Sequence, residues 1–74
     1  MKMYKVYFEN RFSERIYIGD AKNNEEIHRV WRADLNKRNP NYIVHYVRSQ
    51  MSATGTITYD IGSWSEFYIA VPVI

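Results

Sequence analysis

The sequence predicts an α+β domain: an antiparallel β-sheet of about five strands in the order ββαβββ, with one α-helix packed on one face. Two observations lead to this class. Short stretches near both ends alternate apolar and polar residues, which is the period-two pattern of a half-buried strand. One stretch in the middle repeats its apolar residues every three to four positions, which is the pattern of an amphipathic helix.

Length and composition limit what the chain can be. Its 74 residues predict one domain, residues 1–74, whose core alone seldom supplies more than about 3–5 kcal/mol of stability. There is no cysteine, and therefore no disulfide or Cys-based zinc site, but seven Tyr, three Phe and two Trp offer large apolar side chains. No apolar run suits a signal peptide or a membrane helix, so we expect a cytoplasmic protein without membrane association.

The first two strands are predicted to form a hairpin. Met3–Glu9 alternates, with Tyr4, Val6 and Phe8 on one face and Lys5, Tyr7 and Glu9 on the other. Asn10-Arg11 is the predicted turn, and the second strand runs from Phe12 to Gly19. In this strand Ile16 and Ile18 are expected inward, and Arg15 and Tyr17 outward.

The helix is predicted from Asn23 or Asn24 to about Arg38. Asn23 with Glu26 three residues later resembles a capping box, and Pro40 follows the predicted end. The apolar stripe consists of Ile27, Val30, Trp31 and Leu35. Asp34 falls within this stripe, where a carboxylate needs a partner. Arg38, one turn later, is the expected partner; the alternative is a Tyr hydroxyl or a partner chain.

The remaining strands follow the helix. Tyr42–Arg48 is predicted as a third strand with both faces apolar, and Ser49–Gly55 as a polar loop. The terminal hairpin pairs residues 56–61 with residues 67–71 around Gly62-Ser63-Trp64-Ser65. Ile57, Tyr59 and Ile61 are expected on one face of the first strand. Phe67, Ile69 and Val71 are expected inward in the second, which ends near Pro72.

One helix covers one face of a sheet, so the outward face is the first candidate site. It is expected to carry Lys5, Tyr7, Arg15, Tyr17 and Tyr68, with His45 and Arg48 undecided. Tyr and Arg are frequent anchors of protein interfaces, and exposed aromatic residues among basic ones also stack nucleic-acid bases. The structural alternative is that cross-strand Tyr pairs only stabilise the sheet. Trp64 is either an exposed interface anchor or a lid over the edge of the core.

The solvent side of the helix is the second candidate site. It carries Arg29 and Arg32, with Lys37 and Arg38 at its end. These four residues would contact phosphate if the protein bound nucleic acid. Glu25 and Glu26 share the helix and the formal net charge is only +2, so an ordinary solvated face is the favoured interpretation.

No motif for catalysis or for a metal or cofactor stands out. His28 and His45 lack a neighbouring zinc motif, and Ser63 and Ser65 lack a nucleophile-elbow frame. We therefore expect a non-enzymatic protein without cofactor or metal.

Residues 58–68, from Thr58 to Tyr68, resemble the endings of small phage and prophage accessory proteins of Gram-positive bacteria. Those proteins often close with a strand, an Asp-x-Gly-Ser turn and a Ser/Thr-Glu-Phe-aromatic strand. The resemblance implies a host-takeover protein or an inhibitor of bacterial defence, such as an anti-CRISPR protein, acting in the host cytoplasm by binding. The mildly basic charge departs from an acidic DNA mimic.

Together these patterns predict a phage-type protein that binds and inhibits a host protein complex. The expected contacts are Trp64, Tyr7, Tyr17, Tyr68, Arg29 and Arg32. The alternative is a nucleic-acid-binding module that uses Arg29, Arg32, Lys37 and Arg38 together with the aromatic sheet face. A homodimer that buries the Tyr-bearing strands is also expected, since a small domain without disulfides gains stability from self-association.

Overall fold

Alternating strands and one capped helix assemble into a two-layer α+β fold. The computed structural model describes residues 3–63 and 65–73. Their elements are β1 (Met3–Glu9), β2 (Arg15–Ala21), α1 (Asn24–Arg38), β3 (Arg48–Met51), β4 (Ile57–Asp60) and β5 (Phe67–Val73). The strands form one antiparallel sheet in the spatial order β2-β1-β5-β4-β3, which confirms the predicted class and element order.

A β-bulge lies in the first hairpin. Tyr7 is opposite Tyr17 and Val6 is opposite Gly19, so Ile18 is the extra residue. The bulge reverses the alternation, turning Gly19 and Ala21 toward the helix and Asp20 away from it. The predicted strand Phe12–Gly19 begins and ends too early. Its predicted inward residues are correct, since Ile16 shares the face of Phe8 and Ile18 packs against the core, and Arg15 and Tyr17 lie outward as predicted. Ile16 is nevertheless 42% exposed, because it lies at the end of the sheet.

The helix begins and ends where the sequence predicts. The Asn23 side chain accepts a hydrogen bond from the Glu26 N–H, and the Glu26 carboxylate accepts one from the Lys22 N–H. At the other end the Asn39 N–H donates to the Leu35 carbonyl. Ile27 and Trp31 are fully buried and Val30 and Leu35 are partly buried, so the predicted stripe is confirmed.

The inward and outward faces of β5 are the reverse of those predicted. Tyr68 lies opposite both Phe8 and Tyr59, which face the helix, and it is fully buried. Directly opposite residues share a face, so Phe67, Ile69 and Val71 point to the other side of the sheet. The predictions that these three residues face the helix and that Tyr68 lies outward are both wrong. Ile69 is nevertheless buried, at 2% exposed, on its side of the sheet.

The third strand also differs from the prediction. Residues 42–47 form no strand, and β3 begins only at Arg48, the last residue of the predicted strand, and continues to Met51 into the segment predicted as a loop. The irregular segment instead packs Tyr42, Val44 and Val47 against the core, and the Tyr42 hydroxyl donates to the Ile61 carbonyl over 2.7 Å. Because α1 packs mainly on β1 and β2, residues 42–47 cover a part of the same sheet face that lies beside the helix.

Aromatic rings dominate the core between the layers. The indole of Trp31 stacks on Tyr68 with ring centroids 5.6 Å apart, and Phe8 lies 5.3 Å from Tyr68 on its neighbouring strand. Tyr59 completes the cluster 6.3 Å from Trp31. The expected burial of Trp31 is confirmed. The sequence predicts Val6, Ile16, Ile57 and Ile69 as its neighbours. Of these, Ile69 lies on the opposite face of the sheet and Ile16 at the sheet end.

Replacing Trp31 by Ala should lower the free energy of unfolding by about 3–5 kcal/mol, because the substitution leaves a cavity against Tyr68 and Tyr59. That loss is comparable to the whole stability of a domain this small, so the variant should be largely unfolded at 25 °C. Urea unfolding followed by circular dichroism measures it. Arg29→Ala, on the exposed side of the same helix, is the control. A near-native midpoint for Trp31→Ala would contradict the described packing.

Candidate interaction surfaces

The sheet face opposite α1, here called the open face, carries its side chains in three rows across the strands. The turn-side row is Arg15, Glu9, Phe67, Asp60 and Arg48; the middle row is Tyr17, Tyr7, Ile69, Thr58 and Gln50; the far row is Asp20, Lys5 and Val71. The predicted outward positions of Lys5, Tyr7, Arg15 and Tyr17 are confirmed, and Arg48 joins them.

The open face has an apolar centre and balanced charge at its margins. Tyr7 and Tyr17 contact edge to face with centroids 5.9 Å apart, and Tyr17 is 52% exposed. Around them three basic residues alternate with three acidic ones. Arg15 pairs with Glu9 at 3.1 Å, Lys5 lies beside Asp20, and Arg48 beside Asp60. A neutral, partly apolar surface suits a protein partner better than a polyanion.

One phenol on this face is held in place. The Tyr17 hydroxyl donates to the Asp20 carboxylate over 2.7 Å, and this hydrogen bond raises the pKa of Tyr17. The Lys5 ammonium lies 6.0 Å from the centre of the same ring. Tyr17 is therefore a positioned side chain at the edge of the sheet, as expected for an interface anchor.

The basic residues of α1 are largely engaged within the protein. Arg29 lies 3.5 Å from Glu25, and the Arg32 guanidinium lies over the Trp31 ring at 4.7 Å. Arg38 pairs with Asp34 at 2.6 Å and also covers the Phe8 ring at 4.1 Å. Of the four predicted phosphate contacts, Arg38 thus has a structural role, which weakens the predicted nucleic-acid surface.

Asp34 contacts both of the partners that the sequence offers for it, Arg38 and a Tyr hydroxyl. Its Oδ2 accepts a hydrogen bond from the Tyr68 hydroxyl over 2.8 Å, in addition to the ion pair with Arg38. Burial and this hydrogen bond raise the pKa of Tyr68, so its hydroxyl remains a donor throughout the physiological range. Tyr68 therefore belongs to the core, and its prediction as a partner-binding residue is wrong.

The tip of the β1–β2 hairpin presents an exposed aromatic residue that the sequence analysis missed. Phe12 is 70% exposed, and the Arg11 guanidinium lies 5.1 Å from its ring centre. The Asn10 side chain accepts hydrogen bonds from the N–H groups of Phe12 and Glu14, and Ser13 adopts φ 62°. The signal was an aromatic residue between turn-forming Asn10 and Ser13, in a stretch interpreted as strand.

Two shallow pockets flank Tyr42, between the end of α1 and the irregular segment. One, of about 250 Å³, is bordered by Arg32, Asn36 and Val44; the other, of about 360 Å³, by Phe8, Arg38 and Glu66. Leu35 and Asn39 line both. Each is open to solvent, and they lack the enclosure of a typical small-molecule site.

The predicted contact residues do not form one surface. Tyr7 and Tyr17 lie on the open face, whereas Arg29 and Arg32 lie on α1, which covers the other side of the sheet. Trp64 lies outside the described residues. A partner that contacts one flat surface therefore meets either the tyrosines or the arginines.

Within residues 3–63 and 65–73, no three His, Cys, Asp or Glu side chains come close enough together to hold a metal ion. The single helix of this part of the chain is too short and too polar to cross a membrane. No family model, curated protein or solved structure matches the chain. The functional argument therefore depends on the surfaces described above.

His28 should make the stability depend on pH below neutrality. Its ring lies 5.0 Å from Tyr59 and 5.5 Å from Trp31, and burial, followed by the nearby Arg32 charge, lowers its pKa below 6.5. The unfolded chain binds the His28 proton more readily than the folded chain does. Neutral His28 therefore makes its full contribution to the free energy of unfolding above pH 6.5, and this contribution falls as the pH decreases.

Thermal unfolding at pH 7.5 and 5.5 measures this dependence. His28→Gln should reduce the difference in Tm between the two pH values, whereas His45→Gln, at an exposed position, should leave it unchanged. An equal pH dependence in the wild type and in His28→Gln would refute the assignment.

Proposed function

We propose that this protein is a non-enzymatic binding protein that acts by occupying a surface of a host protein complex, as phage accessory proteins that inhibit bacterial defence do. The observation that carries the proposal is the hairpin tip, where Phe12 projects into solvent from a turn that five hydrogen bonds hold. The resemblance of residues 58–68 to phage and prophage proteins supports the phage-type class and a bacterial cytoplasmic site of action.

A fixed turn favours binding because little conformational freedom remains to be lost. The Asn10 N–H donates to the Glu14 carbonyl, and the Ser13 N–H donates to the Asn10 carbonyl, each over 3.0 Å. The ring of Phe12 thus projects from a defined frame, with Arg11 against one side. A preorganised apolar side chain with an adjacent guanidinium fits a concave pocket that has a polar or acidic rim.

The charge distribution favours a protein over a nucleic acid as the partner. The open face carries three basic and three acidic residues, and on α1 the ion pairs at Arg29 and Arg38 offset part of the positive charge. The formal net charge of +2 provides little attraction for a phosphate backbone. The alternative of nucleic-acid binding is favoured only by the exposed Arg29, Arg32 and Lys37 on one helix.

Phe12→Ala should weaken the complex with the protein partner by about 2 kcal/mol, roughly 30-fold in Kd, because it removes the anchoring ring without altering the core. The tagged full chain is used to capture partners from bacterial lysate with and without nuclease, and the affinity of the recovered protein is then measured. Thr54→Ala, in the exposed β3–β4 turn, is the matched control. A partner that Phe12→Ala binds as tightly as the wild type would contradict the role of the hairpin tip.

Binding to generic single-stranded RNA and duplex DNA should be weak at physiological salt. If the alternative held, affinity would be submicromolar and would fall with salt at a log-log slope of about −0.7 to −0.9 per phosphate contact. It would also disappear when Arg29 and Arg32 are both replaced by Ala. Fluorescence anisotropy over a salt series separates the two functions, and loss of the captured partner on nuclease treatment would favour nucleic acid.

A further inference from the structure

The open face has an internal symmetry of charge. On β1, Lys5 and Glu9 lie two residues on either side of Tyr7, with opposite charges. On β2, the bulge at Ile18 places Asp20 and Arg15 at equivalent distances on either side of Tyr17, again with opposite charges. On β5, Val71 and Phe67 flank Ile69, and both are apolar.

A two-fold axis along the middle row exchanges the far row with the turn-side row. When a second copy is rotated about this axis, the two open faces meet with β1 over β1 and β5 over β5. Lys5 of each copy then faces Glu9 of the other, Asp20 faces Arg15, and Val71 meets Phe67. Tyr7 meets its own equivalent on the axis, which is the self-complementary contact that a two-fold interface requires. Ile69 lies beneath this contact and is already buried within each chain.

We propose that the open face binds a second copy of this chain, and that the two-fold axis runs across the strands through Tyr17, Tyr7 and Ile69. The opposite charges set the orientation, and the partly exposed Tyr7, Phe67 and Val71 are covered, as in sheets that pack face to face about 10 Å apart. The exposed ring of Tyr17 loses its solvent contact in this arrangement. The proposal does not depend on the identity of the host target.

The charges distinguish this axis from the other simple arrangement. An axis parallel to the strands through β5 would bring Glu9 of one copy against Asp60 of the other, and Arg15 against Arg48. Like charges opposite each other disfavour that packing. Across the proposed axis, β4 and β3 pair Asp60 with Thr56 and Arg48 with Ser52, so none of the described residues in these rows meets a like charge.

The size of the face predicts a moderate affinity. Strands of up to seven residues at about 3.3 Å per residue, five across at about 4.8 Å, give a face of roughly 500 Å². Two such faces bury roughly 1,000 Å², near the lower limit for a specific complex, so we expect a Kd in the micromolar range. The hairpin tips bearing Phe12 then lie at opposite ends of the dimer, and both remain free.

Charge reversal tests the orientation. Sedimentation equilibrium of the full chain from 1 to 500 µM should show a monomer–dimer transition. Lys5→Glu and Glu9→Lys should each weaken self-association at least tenfold, because each places like charges opposite one another twice. Mixed together, the two variants should form a heterodimer with near wild-type affinity, because every contact then joins opposite charges. Circular dichroism confirms that both variants fold.

A cross-linking experiment tests the axis without altering charge. The natural chain has no cysteine, so Thr58→Cys introduces a single thiol in the middle row. A short bismaleimide should join two copies efficiently, whereas Thr54→Cys in the β3–β4 turn should react without forming a dimer. A wild-type chain that stays monomeric to 500 µM would overturn the proposal. Unchanged dimerisation in both charge variants, or equal cross-linking at the two cysteines, would also overturn it.

Discussion

The contact between Trp31 and Tyr68 is the interaction on which the rest of the structure depends. It joins the middle of the helix to the central strand of the sheet, and the Tyr68 hydroxyl adds a hydrogen bond to Asp34 one turn further along. Stacked rings and a partly buried carboxylate whose two partners are Tyr68 and Arg38 together fix the position and rotation of α1 on the sheet. Because Tyr68 faces the helix, Phe67, Ile69 and Val71 must face away from it, so the core determines the composition of the open face.

The sequence predictions are correct where the deciding residues lie close together in the sequence, and wrong where the deciding contact joins distant residues. Caps and a four-residue apolar stripe lie within one segment, so the bounds and buried side of α1 were predictable. In β5 residues 67–71 are all apolar, and alternation carries no information about which side is buried. The deciding interaction is the hydrogen bond from Tyr68 to Asp34, 34 positions away, which no local pattern reveals.

The interaction surfaces were predictable to a similar extent. Tyr7 and Tyr17 were correctly placed because β1 and the first half of β2, before the bulge at Ile18, alternate clearly. Arg29 and Arg32 were correctly placed because the apolar stripe defines the exposed side of the helix. The hairpin tip was missed because Phe12 favours a strand by propensity, whereas Asn10 holds the turn with its side chain. Residues 42–47 show the converse. Their aromatic and β-branched side chains suit a strand, but the segment is irregular, and Tyr42, Val44 and Val47 pack over the part of the core beside α1.

The bulge at Ile18 affects both the packing of the helix and the charges of the open face. Without the extra residue, Asp20 would point under the helix and Gly19 toward solvent. With it, Gly19 lies beneath Val30, whose Cγ1 is 3.2 Å from where a Cβ would lie, so the helix can approach closely. The same residue returns Asp20 to the open face opposite Lys5, completing the balanced charges there. One inserted residue thus serves helix packing and surface charge together, which explains why an otherwise regular hairpin contains an irregularity at its centre.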